Sequence, residues 1–209
     1  MTPAGLATDA ALVLAGYLLG AIPFGVIVGW WRRGIDVSRY GSGSTGATNV
    51  LRTMGWRASA VVFLGDMLKS AVAVLLARLI VDSASVAALA GVAAIAGHCW
   101  SIYIGGKGGR GVTSTFGATL ILQPFVALGS LAVAIGVMAG TRFASLGSLC
   151  GVGFGTLAMA YLLITQHVPP AYLIFTIGAP LIVYVRHRDN IGRLVRGRER
   201  KIGQKAPGV

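Results

Sequence analysis

The stretch YLIFTIGAPLIVYVRHRDNIGRLVRGRE, from Tyr172 to Glu199, decides the fold prediction. Its first half, Tyr172 to Val185, is an unbroken apolar run, and its second half is rich in arginine. An apolar run followed at once by basic residues is typical of a helix that reaches a membrane surface. The stretch also contains the only glutamate of the chain, Glu199, which is placed among six arginines.

The composition of the whole chain favours a membrane protein. The 209 residues are 55% hydrophobic and 11% charged, with a mean hydropathy of +0.76, whereas a soluble domain carries about 25% charged residues. We expect one membrane-embedded domain over residues 1–209. Asp9 to Trp31 lacks the basic segment and cleavage site of a secretory signal, so we predict a retained span there. Cys99 and Cys150 show no disulfide or metal-binding spacing.

The apolar runs predict an all-α integral membrane protein with about seven transmembrane helices, some of them short. A helix needs about 20 residues to cross the hydrocarbon core. The predicted spans are Ala10–Trp31, Ala58–Val81, Val86–Tyr103, Val112–Leu122, Phe125–Gly140, Ser145–Thr165 and Ala171–Val185. The fourth and fifth are separated at Gln123-Pro124. The fourth is too short to cross alone, so it is expected to be a half-helix buried against its neighbours.

The basic residues predict the orientation. Sixteen of the eighteen lysines and arginines lie in loops on one side of this arrangement, and the positive-inside rule makes that side cytoplasmic. The N-terminus is then outside and the C-terminus is cytoplasmic. The polar cytoplasmic loops are 32–57, 97–114, 141–148 and 186–209. A net charge of +12 that is confined to such loops favours anionic lipid head groups or substrates over nucleic acid.

The first polar stretch, GSGSTGATNVLRTMG from Gly41 to Gly55, combines glycines, hydroxyls and Arg52. Glycine lets the backbone approach an anion closely, and successive N–H groups can form a nest for phosphate. We therefore predict a phosphate-binding loop. An ordinary flexible loop of the same composition is the alternative.

The second polar stretch, GHCWSIYIGGKGGRGVTS from Gly97 to Ser114, places a glycine-rich basic loop directly before a predicted helix. Free N–H groups and the positive end of the helix dipole then point at the same anion. Ser or Thr does not follow Gly-Lys, so the loop is not a Walker A motif and phosphate is a better ligand than nucleotide. The alternative is a basic hinge that contacts lipid phosphates.

Isolated polar residues outside these loops have structural interpretations. Asp66 and Lys69 are three residues apart, share a helix face and are expected to form an ion pair. His98 is expected to be a structural hydrogen-bonding group. For His187, a substrate ligand and a helix cap remain equally open. Glu199 beside arginines should have a lowered pKa, which makes it a poor base; we expect it to pair with arginine and organise the site.

Together the three motifs resemble the PlsY family of bacterial membrane acyl-phosphate:glycerol-3-phosphate acyltransferases. The first family motif is matched by Gly41-Ser42-Gly43, Gly46-Ala47-Thr48-Asn49 and Arg52. The second is matched by Gly97-His98, Lys107-Gly108-Gly109 and Gly111-Val112. The third is matched by His187-Arg188, Asn190-Ile191, Arg193-Leu194, Gly197 and Glu199. Ser44 stands where the family usually has Asn, and Arg110 where it usually has Lys.

The resemblance implies transfer of a fatty acyl group from acyl phosphate to the sn-1 hydroxyl of glycerol 3-phosphate. The products would be lysophosphatidic acid and phosphate, in the first acylation step of phospholipid synthesis. It implies a multi-pass protein of the bacterial inner membrane, a cytoplasmic active site, contact with membrane lipids, no cofactor or metal, and no nucleic acid partner. The enzyme that produces acyl phosphate would be its metabolic partner.

The resemblance also implies a set of site residues. The expected catalytic residues are Ser42, Arg52, Lys107, His187 and Asn190. The expected substrate-binding residues are Gly41, Gly43, Ser44, Gly46, Thr48, Asn49, Gly108, Gly109, Arg110, Gly111, Ser145 and Ser148. The expected structural organisers are Glu199, Asp66 and Lys69.

The expected chemistry is direct attack without a covalent acyl-enzyme. No aspartate follows His98 or His187 at the spacing of histidine–aspartate acyltransferases, and neither cysteine lies in a motif. The proton could go to His187 or to the donor's own phosphate, and the second route is favoured because it needs no protein base. The alternatives are a transporter or lipid-handling protein that binds anions, or a structural membrane subunit. A transporter needs access from both sides, whereas the polar loops lie on one side.

Overall fold

The computed structural model describes residues 2–204, and every regular element within that range is helical. The ten α-helices are α1 (Pro3–Ala21), α2 (Phe24–Arg33), α3 (Ala47–Met54), α4 (Trp56–Val81), α5 (Ala84–Cys99), α6 (Val112–Leu122), α7 (Pro124–Thr141), α8 (Ala144–Ile164), α9 (Leu173–Arg186) and α10 (Arg188–Val195). Short 3₁₀ turns occur at Val37–Arg39, Ile102–Ile104 and Pro170–Tyr172. Residues 205–209 of the predicted 186–209 loop lie outside the described residues.

Each of the seven predicted spans corresponds to helix in the structure. In the part of the chain that the structure describes, five segments are long and apolar enough to cross a membrane: Pro3–Arg33, Trp56–Val81, Ala84–Ile104, Pro124–Thr141 and Ala144–Ile164. Two shorter apolar segments, Val112–Leu122 and Pro170–Arg186, correspond to the fourth and seventh spans. Large apolar side chains such as Phe125, Leu157 and Ile164 are exposed on the helix surfaces, as expected where lipid is the solvent. The number of crossings and their orientation stay predictions.

The first predicted span, Ala10–Trp31, is wrong as a single helix. The structure begins the helix earlier, at Pro3, and breaks it between α1 and α2 at Ile22 and Pro23, because proline lacks the N–H that a continuing helix needs. The carbonyl oxygens released by the break are bound elsewhere. Lys69 Nζ donates to Ile22 O at 2.8 Å, and Ser101 Oγ donates to Ala21 O at 2.5 Å.

The helix α5 lies at the centre of the bundle, and small residues let its neighbours approach closely. A Cβ on Gly20 of α1 would overlap the backbone of Ala94, and one on Gly97 would overlap the backbone of α1. Small residues at helix contacts are typical of membrane bundles, where close van der Waals packing replaces the hydrophobic effect. The buried core continues through α4, α6 and α9.

The polar loops and the tail meet at one end of the bundle. The Gly-rich loop before α6 contacts the loop before α3, because Thr45 N donates to Gly108 O at 3.5 Å. The tail after α10 returns to the α7–α8 turn, where Ile202 N donates to Arg142 O at 2.7 Å. The helices therefore hold the three motifs against one another.

Candidate active site

Asn49 organises the loop before α3. Its Oδ1 accepts a hydrogen bond from Ser42 N at 2.9 Å, and its Nδ2 donates to the carbonyls of Val37, Tyr40 and Ser44 at 3.1, 3.0 and 2.8 Å. The side chain is buried. The expected substrate ligand Asn49 thus has its amide directed to the loop's own backbone.

The rest of this loop supplies polar groups to the site. Ser44 Oγ accepts from Gly46 N at 3.3 Å, so the serine that replaces the family's asparagine forms a local turn. Gly41 and Gly43 adopt positive φ angles of 62° and 71°, which favour glycine. The glycine and polar residues of this loop and of α3 that line a cavity are Gly41, Ser42, Ser44, Gly46, Thr48, Asn49 and Arg52; the apolar residues Ala47 and Leu51 of α3 line one as well. Gly43 is exposed and lines neither cavity.

Arg52 is half-buried between the first motif and the tail. It donates to Arg200 O at 3.3 Å, while its Nε is buried without a hydrogen-bond partner among residues 2–204. Burial lowers the pKa of Arg52, and the nearby Glu199 carboxylate opposes that shift. The guanidinium stays charged and keeps a donor free for an anion.

The Gly-rich loop packs tightly against the end of α5. A Cβ on Gly108 would overlap the backbone of His98, and one on Gly109 would overlap the His98 ring. Arg186 holds the loop from α9, since its Nε donates to Gly109 O at 3.1 Å. Its guanidinium also lies 5.5 Å from the ring centroid of Trp100. These glycines are therefore required for close packing, and neither of the two expected substrate-binding residues lines a cavity.

Of the two basic residues in this loop, only Arg110 lies in the cavities. Burial lowers the pKa of Arg110 to about 10, so it remains a cation at neutral pH. It lines both cavities described below, together with Gly111 in the larger one. Lys107 is exposed and lines neither cavity, so the structure does not bring this expected catalytic residue together with the others.

Glu199 connects α8, α10 and the tail. Its Oε1 accepts from Ser145 Oγ at 2.9 Å and from Asn190 Nδ2 at 2.6 Å, and its Oε2 accepts from Arg193 Nε at 2.7 Å. Burial alone would raise the pKa of Glu199, but the bonds from Arg193, Asn190 and Ser145 outweigh it and leave the pKa below its ordinary value. The carboxylate is ionised and fully partnered, which suits an organiser.

His187 is buried at the junction of α9 and α10. Its Nδ1 lies 2.8 Å from Val183 O, and because a carbonyl only accepts, Nδ1 carries the proton and Nε2 carries a lone pair. Burial, together with the charge of Arg110, lowers the pKa of His187 to about 4 despite that bond. The ring is therefore neutral at pH 7 and is a hydrogen-bond acceptor at Nε2.

The remaining expected residues divide between the site and its support. Ser148 Oγ donates to Ala144 O at 2.8 Å and lines the larger cavity beside Ser145. The expected Asp66–Lys69 pair is present at 2.8 Å, and His98 Nδ1 lies 3.3 Å from the same Asp66 oxygen. This buried cluster lies below the Gly-rich loop. Sequence reasoning did not connect His98 with the pair, although all three carry polar groups within apolar spans.

Two cavities meet at the motifs. The larger, of about 500 Å³, extends from Ser42, Arg52, Arg110 and His187 along α6, α7, α8 and α9 between apolar side chains. The smaller, of about 150 Å³, is polar; its lining comprises Gly41, Ser42, Arg52, Arg110, Arg186, Asp189, Asn190, Arg193, Glu199 and Arg200. Ser42, Arg52, Arg110 and Glu199 line both. Within residues 2–204, no cluster of three His, Cys, Asp or Glu could hold a metal.

Sequence reasoning missed the roles of Arg186, Arg193 and Arg200 in this site. Arg193 binds Glu199, Arg186 holds the Gly-rich loop, and Arg200 NH1 donates to Gly41 O at 3.5 Å. Arg186 and Arg193 belong to the arginine-rich part of the stretch Tyr172 to Glu199, and Arg200 follows it directly. Their individual partners depend on how the tail folds back, which the sequence does not encode in any local spacing.

Comparisons with known proteins agree on one family. The family described as "Glycerol-3-phosphate acyltransferase" matches residues 10–197. The glycerol-3-phosphate acyltransferase of Crocosphaera subtropica is 42% identical over 208 residues, with coverage of 94% of this chain and 95% of that protein. The corresponding protein of Clostridioides difficile is 42% identical over 199 residues, with 93% and 95% coverage.

Similarity to solved structures indicates the same family. The crystal structure of PlsY (YgiH), an integral membrane glycerol 3-phosphate acyltransferase, in its glycerol 3-phosphate form, superposes with a TM-score of 0.85 at 34% identity, covering 94% of this chain and 96% of that one. The lysophosphatidic acid form superposes with a TM-score of 0.84 at the same identity and coverage. The chain therefore belongs to the glycerol-3-phosphate acyltransferase family.

Proposed function

We propose that the protein transfers a fatty acyl group from acyl phosphate to the sn-1 hydroxyl of glycerol 3-phosphate, releasing lysophosphatidic acid and phosphate. The observation that carries this proposal is the pair of joined cavities. The small polar one suits glycerol 3-phosphate, and the large one suits a phosphate head with a long apolar chain. They share Arg52 and Arg110, so one pair of cations can face both phosphates.

The reaction needs no covalent intermediate in this proposal. The hydroxyl oxygen of glycerol 3-phosphate attacks the acyl carbon, the new ester C–O bond forms, and the anhydride C–O bond to phosphate breaks. Arg52 and Arg110 stabilise the negative charge of the leaving phosphate. Neither Cys99 nor Cys150 lines a cavity among the described residues, which supports a direct transfer over a thioester.

The hydroxyl proton goes to the leaving phosphate. His187 is a weak base because burial lowers its pKa to about 4, whereas a phosphate monoester has a second pKa of about 6. We assign His187 Nε2 and Ser42 Oγ to orienting glycerol 3-phosphate by hydrogen bonds. Asn190 has a buried Oδ1 without a partner among residues 2–204, and this acceptor is free for a substrate hydroxyl.

We further propose that the site faces the cytoplasm across the bacterial inner membrane and takes its donor from the enzyme that produces acyl phosphate. Most basic residues lie at the end of the bundle where the three motifs meet, which we call the motif end. They support this orientation through the positive-inside rule. At its opposite end the large cavity is lined by Met159 and Phe175, which belong to the buried apolar core. This favours an enzyme over a transporter, since a transporter must open to both sides.

The purified protein tests the proposal. We expect acyl phosphate and labelled glycerol 3-phosphate to give lysophosphatidic acid and phosphate in equal amounts, and palmitoyl-CoA to give no product. Exposed Arg198 provides a control, since Arg198→Ala should retain full activity. Comparable turnover with palmitoyl-CoA alone would contradict the donor assignment, and absence of product with every donor would contradict the acyltransfer itself.

A further inference from the structure

The large cavity is lined by buried residues at its far end. The residues that line it farthest from the motifs are Thr119 on α6, Ala127 on α7, Met159 on α8 and Phe175 on α9. Behind them lie Leu122, Val126 and Tyr172, which are buried in the same apolar core. An apolar chain that enters from the motif end therefore meets a wall of side chains.

The depth of the cavity can be measured along α8. Ser145, which binds Glu199, lines the motif end, and Met159 lines the far end of the same helix. The residues between them rise about 1.5 Å each, which gives a depth of about 21 Å. With carbon–carbon bonds of about 1.5 Å, an extended acyl chain gains roughly 1.3 Å per carbon. The cavity is therefore about as deep as an extended chain of sixteen carbons is long.

Among the described residues, the hydroxyl groups at the far end are bound to backbone carbonyls; Thr176 Oγ1 donates to Tyr172 O at 2.9 Å. Thr119 Oγ1 donates to Thr115 O at 2.7 Å, so its hydroxyl is bound within its own helix. Met159 is only 2% exposed and Ala127 is fully buried. A terminal methyl group would thus contact apolar atoms. Because these atoms are closely packed, the fit of the methyl group would depend on the length of the acyl chain.

We propose that Met159 sets the upper limit of acyl chain length by forming the floor of this cavity, with Ala127 and Phe175 beside it. The inference rests on the proposed function, because it identifies the chain in the cavity as the acyl group of the donor. Met159 is the residue that a longer chain would have to displace, and its unbranched side chain is the largest of the α8 side chains that line the cavity.

The test compares acyl phosphates of roughly 14, 16, 18 and 20 carbons. We expect the wild-type protein to lose kcat/KM beyond about sixteen carbons. Met159→Ala should shift that loss to longer chains and raise the ratio of kcat/KM for the 18- and 16-carbon donors about tenfold, since a single methylene in a tight pocket changes discrimination by about 10- to 200-fold. Ala127→Val should shift the limit in the opposite direction.

Leu122→Ala is the matched control. Leu122 belongs to the same buried core as Met159 but does not line the cavity among the described residues. This variant should lose stability and keep the wild-type chain-length profile. A wild-type-like profile in active Met159→Ala, or an Ala127→Val variant that accepts the same chains as the wild type, would overturn the inference. Failure of the wild type to acylate glycerol 3-phosphate with any donor would instead overturn the proposed function.

Discussion

Arg52 lies where the two cavities join and keeps one buried donor without a protein partner in the described residues. Arg52→Ala should remove a charge-assisted contact to a substrate phosphate, worth about 1.5–3 kcal/mol. We expect KM for one substrate to rise about 10- to 100-fold, or kcat to fall by that factor if the contact tightens in the transition state. Steady-state kinetics with each substrate varied in turn distinguishes the two. Arg39→Ala, at an exposed position outside both cavities, should change neither constant.

Glu199 should behave differently because it connects three parts of the protein. Glu199→Gln removes the charge that Arg193 binds and weakens the bonds from Ser145 and Asn190. The Arg193 side chain is 37% exposed and water can solvate it once the carboxylate charge is gone, so the cost should be below the about 3–5 kcal/mol of a fully buried pair. We expect a lower melting temperature in detergent together with lost activity. If the variant melts like the wild type, is inactive and lacks one limb of the pH–rate profile, Glu199 is a base and our assignment is wrong.

His187 contributes to the pH dependence of stability, and a substitution of His187 can measure that contribution. Its folded pKa of about 4 lies below the unfolded value of about 6.5. The unfolded chain therefore binds the proton first as pH falls, and the neutral ring's contribution is complete above pH 6.5 and is lost on the way to pH 4. At pH 5 the loss is about 2 kcal/mol. His187→Gln, whose amide can still donate to Val183 O, should flatten the melting temperature between pH 6.5 and 5.

The same variant distinguishes between His187 and the leaving phosphate as the proton acceptor. If the leaving phosphate takes the proton, His187→Gln should lose only the orienting contact and keep a measurable rate at pH 7. A rate below detection in a protein that melts normally would show that His187 is the base.

At the scale of elements, the break between α1 and α2 explains why a lysine is buried in a membrane helix. Lys69 binds both the Ile22 carbonyl that the break exposes and Asp66 on its own helix. Lys69→Met should leave Asp66 buried with His98 as its remaining partner, and we expect a loss of about 3–5 kcal/mol in the free energy of unfolding. Arg78→Met on the same helix is the control, and it should cost much less because Arg78 is exposed. Equal melting of both variants would contradict this account.

The elements also show what the sequence could and could not predict. Length and hydropathy were sufficient to predict the helices α4, α5 and α8. Gln123-Pro124 was sufficient to predict the turn between α6 and α7, because these features act locally. The break at Pro23 is equally local but was obscured by apolar residues on both sides. The partners of His98 and the packing of Gly109 on its ring depend on contacts between α4, α5 and the Gly-rich loop, which no local pattern contains.

At the scale of the whole molecule, the sidedness of the charges predicts topology. In a background with Cys150 replaced by alanine, a cysteine at Thr2 should react with an impermeant thiol reagent applied outside intact cells, and one at Gln204 should react only after lysis. Cys99 is buried and should not react with the reagent. Equal labelling of both positions from outside would contradict the predicted orientation.

The position of the tail after α10 has a consequence for incompletely translated chains. Glu199 and Arg200 contact α8 and the first motif loop, and Ile202 contacts the α7–α8 turn; in the chain, all three follow the last apolar helix. A chain that stops before Glu199 would therefore contain every apolar helix and still lack the contacts that complete the site. Catalytic competence thus distinguishes chains that were translated past Glu199 from shorter ones.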